Sequence, residues 1–277
     1  MAKRKNEWTE EKIARYIKEG RGSGELSAYK PWLTNQDFAS SGRTHRLKGW
    51  KTNRMHQLFS DIERNYFYLL EWTNQVIDIR EQFPLNREKT IKISEMKNIA
   101  HSIDNKTKTP IVMTTDFLIT VRNQTGLKYI ARTIKPSEQL NNPRVVEKLE
   151  IEKEYWIREN VDWGIVTERD IPSIMWKNIE MIHRHYRVSD VDKTLTEMLY
   201  KELEQKKDGV LLSILNTFDD IYNLESGTAL RLFKYLVARR YIDVGIQKKL
   251  DFRTNITNYR FYGYGEDWEV NIYENIQ

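Results

Sequence analysis

Two side chains of opposite charge, Asp116 and Lys135, stand on stretches that read as neighbouring strands. Residues 112–120 (VMTTDFLIT) are rich in β-branched and aromatic types, follow Thr109-Pro110, and lead into the turn-like Asn123-Gln124-Thr125-Gly126. Residues 128–135 (KYIARTIK) fit a second strand, with Tyr129, Ala131, Thr133 and Lys135 on one face, and Pro136 ends it. If the two strands pair as a hairpin, the acid and the ammonium converge on one pocket. A carboxylate there can hold Mg²⁺, a hard cation that prefers oxygen ligands, while a lysine positions or deprotonates an attacking water and offsets phosphate charge. The same two residues also suit a purely structural pair, a buried aspartate held by a lysine at a sheet end.

A second carboxylate precedes them. Residues 60–63 (SDIE) open a helix with Ile62, Tyr66, Leu69, Leu70 and Thr73 at helical spacing, which puts Glu63 in its first turn. Glu63 has two readings: a further metal-holding acid, or the return arm of a capping box with Ser60.

The elements that must position these groups follow. Residues 76–80 (VIDIR) read as a strand closed by Pro84, whose last residues Glu81 and Gln82 could stand behind the site or be solvated. A helix over about 144–160 carries Val145, Leu149 and Trp156 toward a sheet, and residues 161–167 form a further strand. Hairpin, helix and strand in that order make a mixed α/β domain. Ahead of it, a helix capped by Thr9 runs to residues 20–24 (GRGSG), which lack the ending of a phosphate loop and read as a flexible connector.

Length and composition bound the rest. A chain of 277 residues can bury a large core as one domain or two. Hydrophobic residues at 39%, charged residues at 31% and a mean hydropathy of −0.70 describe a soluble globular protein. No apolar run approaches the ~20 residues of a spanning helix, and no apolar segment follows the basic start, so the expectation is cytoplasmic, with no membrane partner. The absence of cysteine excludes disulfides, thiolate catalysis and cysteine-bound zinc, and no two of the five histidines have zinc-protease spacing. Net charge is +5 and the pI about 9.1, a bias that permits nucleic-acid binding. Arg43, Arg46, Lys48, Lys51 and Arg54 follow one another without an intervening acid, which suits either a solvated loop or a phosphate-contacting arm beside the Glu63 helix.

Several blocks together resemble the TnsA family, the endonuclease subunit of heteromeric Tn-seven-type transposases. They are residues 41–46 (SGRTHR), 56–63 (HQLFSDIE), 76–85 (VIDIREQFPL), 112–118 (VMTTDFL), 134–136 (IKP) and 149–156 (LEIEKEYW), in matching order and spacing. The resemblance implies a restriction-endonuclease-like catalytic domain that cuts the 5′ ends of a bacterial transposon. It also implies an integrase-type (TnsB-like) subunit for the 3′ ends and an AAA+ (TnsC-like) regulator. The family's metal site uses a helix glutamate, a strand aspartate and a Gln-x-Lys on the next strand. Those positions fall here on Glu63, Asp116 and Lys135, with two Mg²⁺ ions expected on Glu63 and Asp116. The glutamine position is Thr133, so no role of a long amide carries over to it. Gln82 and Thr133 are expected just outside the metal ligands.

A composition shift near residues 170–172 divides the chain into an expected nuclease domain, 1–169, and a mostly helical domain, 170–277. Helices are expected over 175–186, from Ser189 or Asp190, over 210–224 and over 227–240, then a short strand at 241–244. Helices ending in a β-ribbon resemble a winged helix-turn-helix, which docks DNA or protein, with Arg231, Lys234, Arg239 and Arg240 as candidates for either. Two other functions stay open: a stand-alone restriction or repair nuclease, and a noncatalytic winged-helix DNA-binding or docking protein.

Overall fold

The hairpin that carries Asp116 is the centre of the first structural unit. The computed structural model describes residues 7–37, 43–124, 126–187 and 192–264. The chain separates into two compact units, Met1–Ile171 and Pro172–Gln277.

In the first unit, α1 (Glu10–Lys18) starts where the Thr9 hydroxyl accepts the Lys12 N–H. It buries Ile13 and Tyr16 against Trp32 and Val112. The glycine-rich stretch after it is not a loose connector. Gly20, Gly22 and Gly24 all hold left-handed backbone, and a Cβ on Gly22 would lie 2.1 Å from Pro84. The turn is packed on a strand end, and only glycine allows both the φ and the approach.

A short ribbon of β1 (His45–Lys48) and β2 (Met55–Leu58) leads into α2 (Asp61–Trp72), capped by Ser60. The buried face of α2 runs through Glu63, Phe67, Tyr68, Leu70 and Glu71, with Ile62, Tyr66 and Leu69 only partly covered and Thr73 exposed. The stripe is rotated from the sequence expectation because two of its inward positions are carboxylates, each accepting a backbone N–H from the chain that precedes the helix. Glu63 is bonded at its own N-terminus, and Glu71 accepts the Trp50 N–H.

The main sheet follows, in the order β3 (Val76–Pro84), β4 (Thr114–Asn123), β5 (Gly126–Ile134), β6 (Asp162–Val166). The first three strands are antiparallel, and β6 joins β5 in parallel. Between β3 and β4 lies α3 (Arg87–Met96), and the crossover from β5 to β6 is α4 (Pro143–Arg158). Asn142 caps α4 and Pro143 occupies its first turn, where a missing N–H costs nothing. The helix buries Leu149, Ile151, Tyr155 and Trp156, about 1.5–3 kcal/mol for each large side chain. Ile151, Tyr155 and Trp156 meet Leu118 and Ala131 of the hairpin in one core. This is a mixed α/β unit.

Among its described residues the second unit has four α-helices, α5 (Ser173–His183), α6 (Lys193–Gln205), α7 (Leu211–Ile221) and α8 (Thr228–Ala238). A small ribbon of β7 (Ile242–Asp243) and β8 (Arg260–Phe261) completes the described part. The expected helix starts at Ser189 and Asp190 lie outside the described residues; α6 is capped by Asp192. Among the described residues no helix is long and apolar enough to cross a membrane.

Candidate active site

Asp116 stands near the start of β4, one residue before the β4–β5 ladder begins at Phe117 opposite Arg132. Beyond the ladder its carboxylate takes over the role of a strand partner: Oδ2 accepts the Ile134 N–H at 2.7 Å. The same oxygen accepts from Lys135 Nζ at 3.2 Å, and Lys135 Nζ also donates to the Ile134 carbonyl at 2.8 Å. Lys135 is fixed from behind, since its backbone N–H bonds the Val166 carbonyl on β6. Gln82 completes the shell, with Nε2 3.3 Å from Asp116 Oδ1 and Oε1 accepting from Thr114. It does so with a φ of +49°, a conformation that disfavours non-glycine residues and is held here by the surrounding sheet.

Glu63 enters from α2. Ser60 caps the helix as expected, but the Glu63 side chain returns to the Phe59 N–H and the Ser60 hydroxyl, not to the Ser60 N–H of a full capping box. The Glu63 N–H bonds the Ser60 hydroxyl, which donates back to Glu63 Oε1 at 2.9 Å, while Oε2 accepts the Phe59 N–H at 3.0 Å. The cap thereby aims a buried carboxylate at Asp116 and Lys135, near enough for their charges to act on it.

A third acid, which sequence reasoning missed, lies behind the strand. Glu152 of α4 is buried, and its Oε1 accepts from Thr133 Oγ1, from Thr115 Oγ1 at 2.7 Å and from Trp163 Nε1 at 3.2 Å. The hydroxyl of Thr133 is therefore engaged with Glu152. The signal was present in the sequence: Glu152 falls in the stripe Val145, Leu149, Glu152, Trp156, so a charged residue sits on the face that packs on the sheet.

Burial raises the pKa of Glu63, and the Asp116 carboxylate raises it further against the pull of the Phe59 N–H, Ser60 and Lys135. Burial pushes Glu152 up to about 7, offset in part by the Thr133 hydroxyl and reinforced by Asp116. Burial alone would lower Lys135, but Asp116 and Glu152 around it outweigh that and leave its pKa raised. The site therefore gathers three acids around one ammonium that stays charged at neutral pH. Among the described residues no three Asp, Glu or His side chains form a metal cluster. A cation here would rest on the Glu63 and Asp116 carboxylates with backbone oxygen such as that of Ile134, an all-oxygen set suited to a hard ion. Two acids in mutual repulsion fit such an ion, because its charge would relieve both.

A family model described as "TnsA-like endonuclease N terminal" matches residues 73–168, and "TnsA endonuclease C terminal" matches residues 170–246. The chain is 37% identical over 258 residues to the transposon Tn7 transposition protein TnsA of Escherichia coli, covering 92% of each chain. The chain belongs to the TnsA family. Within its TnsA N-terminal match lie Asp116, Lys135 and Glu152, while Glu63 precedes it.

The five basic residues expected to form a DNA-contacting arm divide in this TnsA chain. Arg43, Arg46 and Lys48 are exposed, the latter two on the outward positions of β1, and Lys51 is half-buried. Arg54 differs. It is buried, with Nη1 2.7 Å from Glu81 Oε1 and Nη2 2.7 Å from the Ile79 carbonyl. Glu81 is buried as well, although a strand-end carboxylate suggests solvation. It also accepts from His56 Nδ1 at 2.8 Å and the Gln57 N–H at 3.0 Å. Burial would raise its pKa, but His56 and Arg54 hold it far below the usual carboxylate range. Arg54 is thus a core ion-pair residue, withdrawn from any phosphate.

Proposed function

We propose that the chain is a Mg²⁺-dependent DNA endonuclease that hydrolyses the 5′-end phosphodiesters of a Tn7-type transposon. The observation that carries this reading is the convergence of Asp116, Glu63 and the Lys135 ammonium at one end of the sheet's two inner strands in a TnsA-family chain. Glu63 and Asp116 would hold the cations, two in number, and a bound divalent ion supplies charge for the attacking and leaving oxygens of an in-line displacement. The protein's own groups do the rest. Lys135, kept cationic by the acids around it, stands where it can offset a non-bridging phosphate oxygen and orient a water. Gln82 and the Ile134 N–H fix the Asp116 carboxylate, and the Ser60 cap fixes Glu63. Glu152 anchors Thr133 two residues before Lys135 and so holds the strand end in place.

The partners belong to the same proposal: transposon-end DNA, an integrase-type transposase subunit for the other strand, and an AAA+ regulator. Exposed Arg43, Arg46 and Lys48 offer positive charge to the DNA backbone. The helices of the second unit and its short ribbon support a winged-helix docking module. The test is Asp116→Asn, which removes a metal-binding charge at nearly constant volume. With the partner proteins and Mg²⁺ present, 5′-end cleavage should fall by at least ~10²-fold, the scale of even indirect ligand effects, while folding is kept. Wild-type cleavage by this variant would refute the site. Cleavage by the isolated chain would favour a stand-alone nuclease.

A further inference from the structure

Beside the acids, the first unit contains a cavity of about 500 Å³ bordered by Lys135 and Glu152 at one side and by Trp8, Leu33, Val112, Val145 and Leu149 as apolar wall. Two further ammonium groups line it, Lys12 and Lys148. The Lys12 ammonium lies 4.4 Å from the centre of the Trp8 ring, and among the described residues neither it nor the Lys148 ammonium makes a side-chain hydrogen bond or ion pair. The acids nearby are already engaged. Asp37 is held by Arg21, Tyr16 and Thr34, and Glu152 Oε1 by its three donors. Asp37 and Asp104 act on half-buried Lys12 only through space, and no carboxylate among the described residues is ion-paired with its ammonium or with that of exposed Lys148, so the cationic side of the cavity has room for a further negative charge. The apolar wall sets the other requirement: the ligand must carry a flat or apolar body of a few hundred Å³ as well as the anion.

Taking the nuclease reading as given, we infer that this cavity receives one unstacked nucleotide of the DNA strand being cut, next to the scissile phosphate. Its base lies along Leu33, Val112, Val145 and Leu149, and its phosphate sits between Lys12 and Lys148. An unstacked base needs an apolar surface in place of its lost neighbours, and a phosphate needs ammonium in place of solvent ions. Lys135 borders the same cavity as the apolar wall and the two lysines, so a strand whose phosphodiester lies at Lys135 has both within the one cavity. The neighbouring nucleotide is thereby held while the phosphodiester is positioned at the acids, so the cavity fixes the register of the cut.

The absence of cysteine makes the test direct, because one introduced thiol is the only thiol in the chain. The probe is a duplex with a short unpaired stretch, made as a series in which one nucleotide at a time carries on C5 of deoxyuridine a tether ending in a mixed disulfide with a small thiol, which an attacking cysteine thiolate displaces and releases. Full-length Val145→Cys should form a disulfide with one tether position faster than with its neighbours. Ile157→Cys, exposed and twelve residues further along α4, gives the background. Lys12→Ala with Lys148→Ala in the Val145→Cys chain should slow that crosslink about tenfold, the loss expected from two phosphate contacts near the surface. Crosslinking at Val145 that is no faster than at Ile157, or that ignores tether position or the two lysines, overturns the proposal. The cleavage assay of Asp116→Asn is independent: loss of cleavage without a Val145 crosslink removes the cavity's role alone. A lysine-dependent crosslink in a chain whose cleavage ignores Asp116 keeps the nucleotide site and removes the nuclease assignment.

Discussion

Arg54→Met should cost stability rather than DNA binding. The substitution keeps a long, largely apolar side chain but deletes the guanidinium that meets both Glu81 oxygens and the Ile79 carbonyl. Arg54 and Glu81 are 8% and 0% exposed, so solvent cannot screen the charge left behind. Removing one partner of a buried pair costs about 3–5 kcal/mol, because the remaining ion stays desolvated. Glu81 keeps His56 and the Gln57 N–H, which places the expected loss at the lower end, about 3 kcal/mol. For a unit of this size that corresponds to a fall in Tm of about 6–12 °C. Urea unfolding followed by tryptophan fluorescence reports chiefly on the first unit, which holds Trp8, Trp32, Trp50, Trp72, Trp156 and Trp163 of the eight tryptophans. The folded variant should bind DNA as the wild type does, whereas Arg46→Ala with Lys48→Ala should weaken binding without loss of stability. An Arg54→Met protein within about 1 kcal/mol of wild type, or one that is stable and defective in DNA binding, would refute the reasoning.

Three further outcomes can be checked. Lys135→Ala should nearly abolish cleavage across a Mg²⁺ titration, whereas Thr133→Ala should reduce it only modestly, since Glu152 keeps Thr115 and Trp163 and no backbone group replaces an ammonium; equal damage would make Thr133 a direct ligand. Glu152→Gln can keep all three bonds through its amide oxygen, and it removes an acid whose pKa rises from 4.5 to about 7 on folding. A raised carboxylate pKa means that ionisation opposes folding, so wild type should lose stability relative to Glu152→Gln as pH rises from about 4.5 to 7, by about 3 kcal/mol, and a pH-independent difference would contradict this. Gly22→Ala should cost about 2–4 kcal/mol in urea unfolding, because it combines a left-handed φ with a Cβ placed inside Pro84; a neutral change would mean that the turn is loose.

What the sequence allowed, and what it hid, follows from how local each signal is. The hairpin, α4 and β6 were legible because β-branched alternation, a Pro136 stop and an apolar helical stripe act over a few residues. Asp116 and Lys135 could be brought together from the hairpin pattern and Glu63 picked out at its helix start, with the family blocks joining the three, but the bonds that hold them depend on strand register, which no local pattern specifies. The buried face of α2 was misread because Glu63 and Glu71 count as polar in any periodicity, although each is satisfied by a backbone N–H from the preceding segment. Arg54 and Glu81 read as surface charges for the same reason: they are twenty-seven residues apart, and only the folded sheet edge brings them together. Glu152 was the avoidable omission, a lone acid on an apolar stripe.

The parallel pairing of β5 with β6 also sets a schedule for synthesis. Asp116 and Lys135 emerge from the ribosome as neighbours in a hairpin, yet the Lys135 N–H is bound by Val166, and the Thr133 side chain is anchored by Glu152 and Trp163. All three arrive later, on the crossover helix and the strand beyond it. A nascent or truncated chain that ends before residue 162 can form the hairpin but not the support that aims its lysine. Under the nuclease reading proposed above, the site stays unaligned until the whole first unit has been made, and proteolytic fragments lacking the last strand carry the acids without the geometry.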